Sequence, residues 1–319
     1  LEAIAKLGSK IDIFQVDDGY ERTVGDWLYH DEKKFPSGMK LIADNIHKHD
    51  MLAGLWLAPF AATPKSYIYN KHKDWFVKNK NGKIPFASQN WGGFYALDIY
   101  NNEVRQYLKE VFDTVLNVWG YDMVKLDFLY ACCIIPFNGK SRGEIMCDAM
   151  DLIRELCGDK LILGCGVPLV PAFGKVDFCR IGADMALSWG KKPFSREDVS
   201  TKHALLNTIF RRELDGRAFL NDPDVFLLRD NNIKMSFEQR KLIAETASLF
   251  GNLLFVSDDV STYNNNQKDC FINVTTRNKA DINYVNMDSD GDISIKYTLD
   301  GEKKGYCFNI NSGDKKVLI

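Results

Sequence analysis

The chain has 319 residues, of which 45% are hydrophobic and 26% charged, and its formal net charge is −2. This is the composition of a globular protein with room for one α/β barrel or two smaller domains. The near-neutral charge argues against a nucleic-acid or membrane-surface role, and no apolar run is long enough to span a bilayer. No signal peptide is visible and the eight cysteines are scattered through mostly apolar segments, so a reducing, cytoplasmic location is expected.

Seven short apolar strands are predicted in chain order, at 11–16, 51–57, 121–130, 161–166, 176–181, 218–220 and 253–256. Helical periodicity or capping signatures predict helices at 39–49, 102–118 and 142–157, a fourth opened by Ser195-x-x-Asp198, and a fifth opened by Ser236-x-x-Gln239 and closed by Gly251. Between the second and third strands, residues 60–95 form a long segment rich in aromatic residues, which we interpret as a functional loop.

The alternation of strands and helices predicts parallel βαβ units and an α/β fold, a (β/α)8 TIM barrel. Seven strands with a leading helix suggest that the first strand is missing, so we expect the chain to be a fragment that is poorly soluble or inactive alone. After residue 278 the pattern changes to short alternating strands separated by glycine turns. We therefore predict a catalytic barrel over 1–277 and a small antiparallel β-sheet domain over 278–319.

The central strand carries a charged face. Val124 and Leu126 alternate with Lys125 and Asp127, so the two charged side chains point the same way, about 7 Å apart. An ammonium beside a carboxylate keeps the carboxylate ionised, and an ionised carboxylate in a cleft can act as a nucleophile. An ordinary ion pair at a strand end is the alternative interpretation.

Polar residues recur where the predicted strands end, and in a barrel these ends meet in one cup. Acidic groups, one lysine, one arginine and aromatic rings together suit a neutral polyol. Asp222 and Asp258 more plausibly support this cup than touch a ligand. The candidate site residues are Asp17, Asp18, Trp56, Lys125, Asp127, Cys165, Arg180 and Asp184.

Two carboxylates flanking a sugar ring are sufficient for glycoside hydrolysis. Asp127 is the better nucleophile because of Lys125, and the apolar neighbours of Asp184 favour a protonated acid, although the two roles could be exchanged. Magnesium binding by Asp17 and Asp18 is the alternative use of these carboxylates. The lysine and arginine in the same cup argue against it, so no metal or cofactor is expected.

Seven segments, in order along the barrel, resemble the α-galactosidases of glycoside hydrolase family 36, clan D. They are FQVDDGYE at 14–21, GDW at 25–27, GLWLAPF at 54–60, YALD at 95–98, VKLDF at 124–128, LGCG at 163–166 and CRIGAD at 179–184. The resemblance implies a retaining mechanism through a covalent galactosyl-enzyme. It places the nucleophile at Asp127 and the acid/base at Asp184.

The resemblance also implies how the sugar is bound. Asp17 and Asp18 would take the axial 4-hydroxyl and the 6-hydroxyl, Lys125 and Arg180 would hold ring hydroxyls, Cys165 would lie near the 2-position and Trp56 would line the pocket. Ala183 departs from the family pattern, since many relatives have proline there. We expect the chain to lack the family's N-terminal β-domain, which often helps to form oligomers, and we expect the parent protein to be a homo-oligomer.

The expected partner is a galactosyl oligosaccharide of the raffinose type or a galactosyl glycoconjugate, with no nucleic acid and no membrane. Alternatives within the same clan are an α-N-acetylgalactosaminidase, which needs room near Cys165, and a transglycosylase. Two alternatives come from other classes. A catalytically silent galactose-binding barrel would bind galactose equally well after Asp127→Asn, and a metal-dependent hydrolase would lose its activity when a chelator is added.

Overall fold

The computed structural model describes residues 2–7, 10–190 and 199–318. In these residues the α-helices are α1 (Glu2–Ala5), α2 (Gly38–His47), α3 (Tyr67–Lys71), α4 (Asn102–Asp113), α5 (Arg142–Cys157), α6 (Thr201–Phe210), α7 (Phe237–Phe250) and α8 (Asn265–Thr275). The strands are β1 (Ile13–Val16), β2 (Leu52–Leu57), β3 (Ala61–Ala62), β4 (Phe86–Ser88), β5 (Phe94–Ala96), β6 (Met123–Leu126), β7 (Leu161–Gly164), β8 (Phe178–Arg180), β9 (Leu220–Asp222), β10 (Val225–Phe226), β11 (Phe255–Val256), β12 (Asp281–Met287), β13 (Asp292–Leu299), β14 (Glu302–Asn309) and β15 (Lys315–Val317).

The chain divides into two compact units. The N-terminal unit is Ile11–Cys179, and the C-terminal unit combines Arg180–Ile319 with the residues up to Lys10. A strand is present at each of the seven predicted positions, and parallel strands alternate with helices in a partial (β/α) barrel. The predicted α/β barrel class is therefore confirmed.

The core of the N-terminal unit is a parallel sheet in the order β1-β2-β6-β7-β8. Five of the six residues of β2 are buried, as expected for a parallel strand covered on both faces. The register pairs Val16 with Leu55, Leu57 with Leu126, and Leu126 with Gly164, so neighbouring strands end close together. The residues that follow these strands consequently share one edge of the sheet.

Capping residues begin several of the helices close to the predicted positions. Asn101 caps α4 by accepting from the amides of Glu103 and Val104, and a capping box joins Ser141 to Glu144 at the start of α5. The predicted 102–118 helix is continued beyond α4 by one π-helical turn, Thr114–Val118. Ser200 caps α6, whereas the predicted signature Ser195-x-x-Asp198 lies outside the described residues.

The aromatic-rich segment at 60–95 is not the loop that was predicted. Strands β3, β5 and β4 form a three-stranded antiparallel sheet in that order, and α3 lies between β3 and β4. The strands are only two or three residues long and pair with a register shift between Phe86 and Ser88. Such short, irregular strands leave no sustained period-two signal, which explains the error.

The central strand ends earlier than the sequence pattern suggested. β6 stops at Leu126, and Phe128 adopts a left-handed backbone conformation with φ of 52°. Phe128 therefore does not continue the apolar face of Val124 and Leu126. A short 3₁₀ segment, Leu129–Cys133, follows directly. This sharp turn leaves Asp127 as the first residue beyond the strand.

The C-terminal unit contains α6, α7 and α8, the parallel pair β10–β11, and the antiparallel sheet β12-β13-β14-β15. Positive φ angles at Gly291, Asp300, Gly301 and Gly313 close the hairpins where glycine turns were predicted. This sheet lies against the same unit: Trp189 Nε1 donates to the carbonyl of Ile310, and Lys315 pairs with Glu245 of α7. The division at 277/278 remains a prediction.

Candidate active site

Asp17 and Asp18 follow β1, and Asp17 has three hydrogen-bond donors. Its Oδ2 accepts from Gln15 Nε2 at 2.7 Å and from Lys125 Nζ at 2.8 Å, and its Oδ1 accepts from the amide of Asp18 at 2.8 Å. The Lys125 side chain is 13% exposed and that of Asp17 is 53% exposed. The largely buried Lys125 ammonium thus holds the Asp17 carboxylate in a position that is exposed to solvent. A carboxylate held in this way can accept a hydrogen bond from a hydroxyl group.

Asp127 follows β6 and is oriented by groups from three neighbouring strand ends. Its amide donates to the carbonyl of Leu57 at 2.8 Å. One carboxylate oxygen accepts from Trp56 Nε1 at 3.3 Å and the other from the amide of Phe128 at 2.7 Å. The third strand end contributes Gly166, where an added Cβ would lie 3.2 Å from Asp127 Oδ1. These contacts place the carboxylate in a defined direction, as a nucleophile requires.

Cys165 follows β7, next to Asp127 in the order of the sheet. Its amide donates to the carbonyl of Leu126 at 2.8 Å, and the residue is only 5% exposed. Trp56 is buried as well, with 2% exposure. Both residues therefore lie at the edge of the sheet that carries Asp17 and Asp127, and their place in a pocket wall remains a prediction.

Trp91 was left unassigned by sequence reasoning, yet it contacts this edge directly. Its Nε1 donates to Asp18 Oδ2 at 2.9 Å, and its ring lies edge-on to Trp56 with 5.9 Å between centroids. The aromatic richness of the segment at 60–95 was the available signal. It did not single out this residue among the nine aromatic side chains of the segment.

Glu21 is a second residue that sequence reasoning missed. It lies in the turn after β1 and is buried, and the amide of Gly19 donates to its Oε2 at 3.1 Å. Burial, followed by a hydrogen bond to Asp18, raises the pKa of Glu21 to about 7. Below about pH 7, the Glu21 carboxyl next to Asp18 is therefore mostly protonated.

Arg180 organises the acidic residues of the C-terminal unit. Its guanidinium is 5% exposed and contacts Asp222 at 2.7 Å, Asp224 at 2.7 Å and Asp184 at 2.8 Å. Asp222 is completely buried, and its supporting role remains a prediction. Burial, opposed by the charge of Arg180, raises the pKa of Asp224 to about 6. One cation thus holds three carboxyl groups in fixed positions.

Asp184 does not have the apolar surroundings that its sequence neighbours suggested. Its side chain is 66% exposed and accepts from Arg180. Its carbonyl accepts from the amide of Ser200, which caps α6, at 2.9 Å. Asp224 also accepts from the amide of Met185, so the peptide unit that follows Asp184 is hydrogen-bonded at both its carbonyl and its amide. The environment is therefore ionic and solvated, because Arg180 lies beside it.

Asp258, at the end of β11, has a structural role. Its side chain is buried and accepts from the amides of Leu228 and Arg229, from the Arg229 guanidinium and from the Tyr263 hydroxyl. Among the described residues, no group of three or more His, Cys, Asp or Glu side chains is arranged as a metal site. None of the described helices is both long and apolar enough to cross a bilayer.

The structure therefore brings six of the eight predicted site residues together in two groups. Asp17 pairs with Lys125, and Trp56 with Asp127, in the N-terminal unit; Arg180 pairs with Asp184 in the C-terminal unit. Asp18 is joined to Trp91, and Cys165 lies at the neighbouring strand end. These are positioned carboxylates with adjacent cations and indole rings, a chemistry suited to carbohydrate binding.

Comparison with known proteins agrees with this chemistry. Residues 1–140 match the family model described as Melibiase. The matched range includes Asp17, Lys125 and Asp127 but neither Arg180 nor Asp184. The structure is similar to that of an α-galactosidase from Thermus thermophilus solved in complex with p-nitrophenyl α-D-galactopyranoside. The TM-score is 0.81 and the identity 29%, over 94% of this chain and 61% of that chain. The same enzyme has also been solved in complex with stachyose.

Two curated relatives match a shorter part of the chain. An α-galactosidase of Lactobacillus acidophilus is 31% identical over 129 residues, which are 38% of this chain and 17% of that protein. The A type blood α-D-galactosamine galactosaminidase of Flavonifractor plautii is 30% identical over 139 residues, 40% of this chain and 13% of that protein. The chain thus spans less than two thirds of the length of each of these three proteins. Over its first 140 residues the chain is similar to the melibiase family, and its fold is similar to that of an α-galactosidase.

Proposed function

We propose that the protein is a retaining exo-α-galactosidase that releases terminal non-reducing α-D-galactosyl residues. The observation that carries the proposal is the row Asp17–Lys125 and Trp56–Asp127 along one edge of the parallel sheet. A carboxylate oriented by an indole N–H and a backbone amide, next to a carboxylate–ammonium pair, can both bind a sugar and attack it.

The proposed reaction has two steps. The Asp127 carboxylate attacks the anomeric carbon from the β face while Asp184 donates a proton to the leaving glycosidic oxygen, so the aglycone departs and a β-galactosyl ester forms. Asp184 then removes a proton from water, the hydroxide attacks the anomeric carbon from the α face, and the ester bond to Asp127 breaks. Two inversions return the α configuration.

Arg180 supports the role of Asp184 as the acid/base. The acid must lose its proton in the first step and regain one in the second. An exposed carboxyl can exchange that proton with substrate and water, and the guanidinium 2.8 Å away stabilises the carboxylate that forms. Proton transfer by Asp184 is therefore proposed to take place in a solvated environment beside the positive charge of Arg180.

Sugar recognition is proposed to follow the strand ends. Asp17 and Asp18 together accept from the axial 4-hydroxyl and the 6-hydroxyl, and Lys125 and Arg180 donate to hydroxyls of the ring. Trp56 lines the pocket and Cys165 lies near the 2-position. Raffinose-type oligosaccharides and galactosyl glycoconjugates are the proposed substrates, in keeping with the stachyose complex of the Thermus enzyme. We also propose a cytoplasmic, homo-oligomeric parent protein; all eight cysteines are described, and none is in a disulfide.

The test is hydrolysis of p-nitrophenyl α-galactoside by the full natural polypeptide and its Asp127→Ala variant, with p-nitrophenyl α-glucoside as the control substrate. We expect turnover of the galactoside, little turnover of the glucoside, and a loss of about 10⁴-fold or more in the variant. Added azide should restore turnover to Asp127→Ala and yield β-galactosyl azide, because azide takes the place of the missing nucleophile. Galactose binding without turnover in the wild type would instead indicate a binding barrel.

α-N-Acetylgalactosaminidase activity is the second candidate, because the Flavonifractor relative is named a galactosaminidase. The two activities differ at the 2-position, where Cys165 is proposed to lie. Turnover of p-nitrophenyl α-N-acetylgalactosaminide at a higher kcat/KM than the galactoside would favour this candidate.

A further inference from the structure

Asp17 and Asp18 are adjacent in the sequence but are oriented by different parts of the chain. Asp17 accepts from Gln15 and Lys125, which both belong to strands of the parallel sheet. Asp18 Oδ2 accepts from Trp91 Nε1 at 2.9 Å, and Trp91 belongs to the turn between β4 and β5. The direction of Asp18 therefore depends on a side chain that no strand end supplies.

The backbone at Trp91 adopts a conformation that bulky residues rarely take. Its φ of 54° and ψ of 24° are left-handed, which costs about 1–2 kcal/mol for an L-residue with a Cβ. Gly92 and Gly93 follow with φ of 80° and 116°, and a Cβ on Gly93 would lie 2.6 Å from the ring of Phe86. Strain of this kind persists only where the surrounding contacts determine the position of the side chain.

The ring of Trp91 contacts the residues around Asp127. Its centroid lies 4.7 Å from that of Phe128, the residue after Asp127, and 5.9 Å from that of Trp56, which donates to Asp127. The N–H of the same indole points to Asp18. One side chain therefore links a proposed sugar-binding carboxylate to the two residues that orient the proposed nucleophile.

We infer that Trp91 is a positioning and specificity-determining residue, whose indole N–H directs Asp18 toward the sugar hydroxyl that distinguishes galactose from glucose. The inference rests on the proposed function. Without the N–H, the Asp18 carboxylate loses its long-range donor, while an aromatic ring at position 91 still packs on Trp56 and Phe128. Substrate selection should then weaken while the chemical step at Asp127 continues.

The test is Trp91→Phe in the full natural polypeptide, with kcat and KM measured for p-nitrophenyl α-galactoside and α-glucoside. A hydrogen bond to a charged group is lost, so KM for the galactoside should rise about tenfold while kcat changes less than about threefold. The glucoside lacks the axial hydroxyl, and its kcat/KM should stay the same. Selectivity for galactoside over glucoside is therefore expected to fall about tenfold.

Trp75→Phe is the matched control. Trp75 lies in the same segment, and its Nε1 also donates to a carboxylate, Glu103 Oε2, at 2.6 Å. That carboxylate is not among the proposed sugar-binding groups, so selectivity should not change. Unchanged selectivity in Trp91→Phe, or an equal change in both variants, would overturn the inference.

Thermal unfolding shows whether Trp91→Phe is folded. If it is not, benzothienylalanine at position 91 replaces only the N–H by sulfur and keeps the shape of the ring, and its selectivity decides the question. A wild-type protein that turns over the galactoside, beside a variant with unchanged selectivity, contradicts the inference alone. A wild-type protein without α-galactoside turnover overturns the proposed function and this inference with it.

Discussion

Lys125 Nζ lies 2.8 Å from Asp17 Oδ2, although the two residues are 108 positions apart in the chain. β2 lies between the strands that carry them, so the pair spans the carboxyl ends of three parallel strands, β1, β2 and β6. Trp56, at the end of β2, contacts Asp127 within the same span. This ion pair therefore connects Asp17, which is proposed to bind a sugar hydroxyl, to β6, the strand that Asp127 follows.

Lys125→Met should impair substrate binding strongly. The methionine keeps the aliphatic packing but leaves Asp17 without its ammonium, so KM for p-nitrophenyl α-galactoside should rise and kcat/KM should fall about 100-fold. Lys160→Met is the matched control, because Lys160 pairs with Asp122 at 3.5 Å and both precede their strands, at the opposite edge of the same sheet. A comparable loss in both variants would show that Lys125 acts only through stability.

The sequence predicted the positions of the parallel strands, because buried parallel strands are short apolar runs, but it extended the central strand beyond Asp127, whereas β6 ends at Leu126. It predicted Lys125 and Asp127 on one face of β6, but it could not show that Lys125 pairs with Asp17. Partners across a sheet depend on strand order and register, and neither is encoded in local periodicity. For the same reason the contacts of Arg180 with Asp222 and Asp224 were not predicted.

Trp91 and Glu21 show a second limit. Their roles depend on a left-handed backbone angle at Trp91 and on burial of the Glu21 carboxyl, and neither property follows from residue type alone. Bulky residues seldom adopt positive φ and glutamate is seldom buried, so general preferences point away from both. Residues that depart from these conformational and burial preferences are concentrated at functional sites, where the position of a side chain matters more than its local stability.

Asp184→Ala should lower the glycosylation rate by a factor that depends on the leaving group of the substrate. A 2,4-dinitrophenolate leaves without protonation, so 2,4-dinitrophenyl α-galactoside should keep a glycosylation rate within about tenfold of wild type, whereas raffinose should lose about 10³-fold or more. Single-turnover kinetics on the two substrates measure this. Asp127→Ala is the control and should lose both activities. Equal losses on both substrates in Asp184→Ala would contradict its role as the acid.

Stability should fall as pH rises through the titration of Glu21. Its pKa is raised from 4.5 to about 7 in the folded protein, so the folded state binds the proton more tightly than the unfolded state. The stabilising contribution is complete below about pH 4.5 and is lost as pH rises to about 7.

Glu21→Gln keeps a neutral side chain of the same shape. Between pH 5 and 8, its free energy of unfolding should therefore decline less than that of wild type, by on the order of 1–2 kcal/mol. Urea titrations at the two pH values measure this difference. Glu32→Gln, which removes an exposed carboxylate, should leave the wild-type decline in place. An identical decline in Glu21→Gln and wild type would show that the carboxyl does not carry the effect.

Gly166→Ala should displace the proposed nucleophile. Gly166 has φ of 57°, and an added Cβ would lie 3.0 Å from the amide nitrogen of Phe128 and 3.2 Å from Asp127 Oδ1. That amide donates to Asp127, so the methyl group presses on both partners of the hydrogen bond that orients the carboxylate. We expect kcat for p-nitrophenyl α-galactoside to fall about 10–100-fold, since small displacements of reacting groups have costs of this size.

Gly158→Ala separates this effect from backbone strain. Gly158 has nearly the same φ, 54°, but an added Cβ there meets nothing within 4 Å. Both variants should lose at least about 1–2 kcal/mol of stability, because alanine is strained at positive φ and the ψ of −122° at Gly158 adds to the strain there. Only Gly166→Ala should lose activity. Thermal unfolding and steady-state kinetics on both variants test the distinction. Full activity in Gly166→Ala would mean that the direction of Asp127 does not depend on the close approach of this turn.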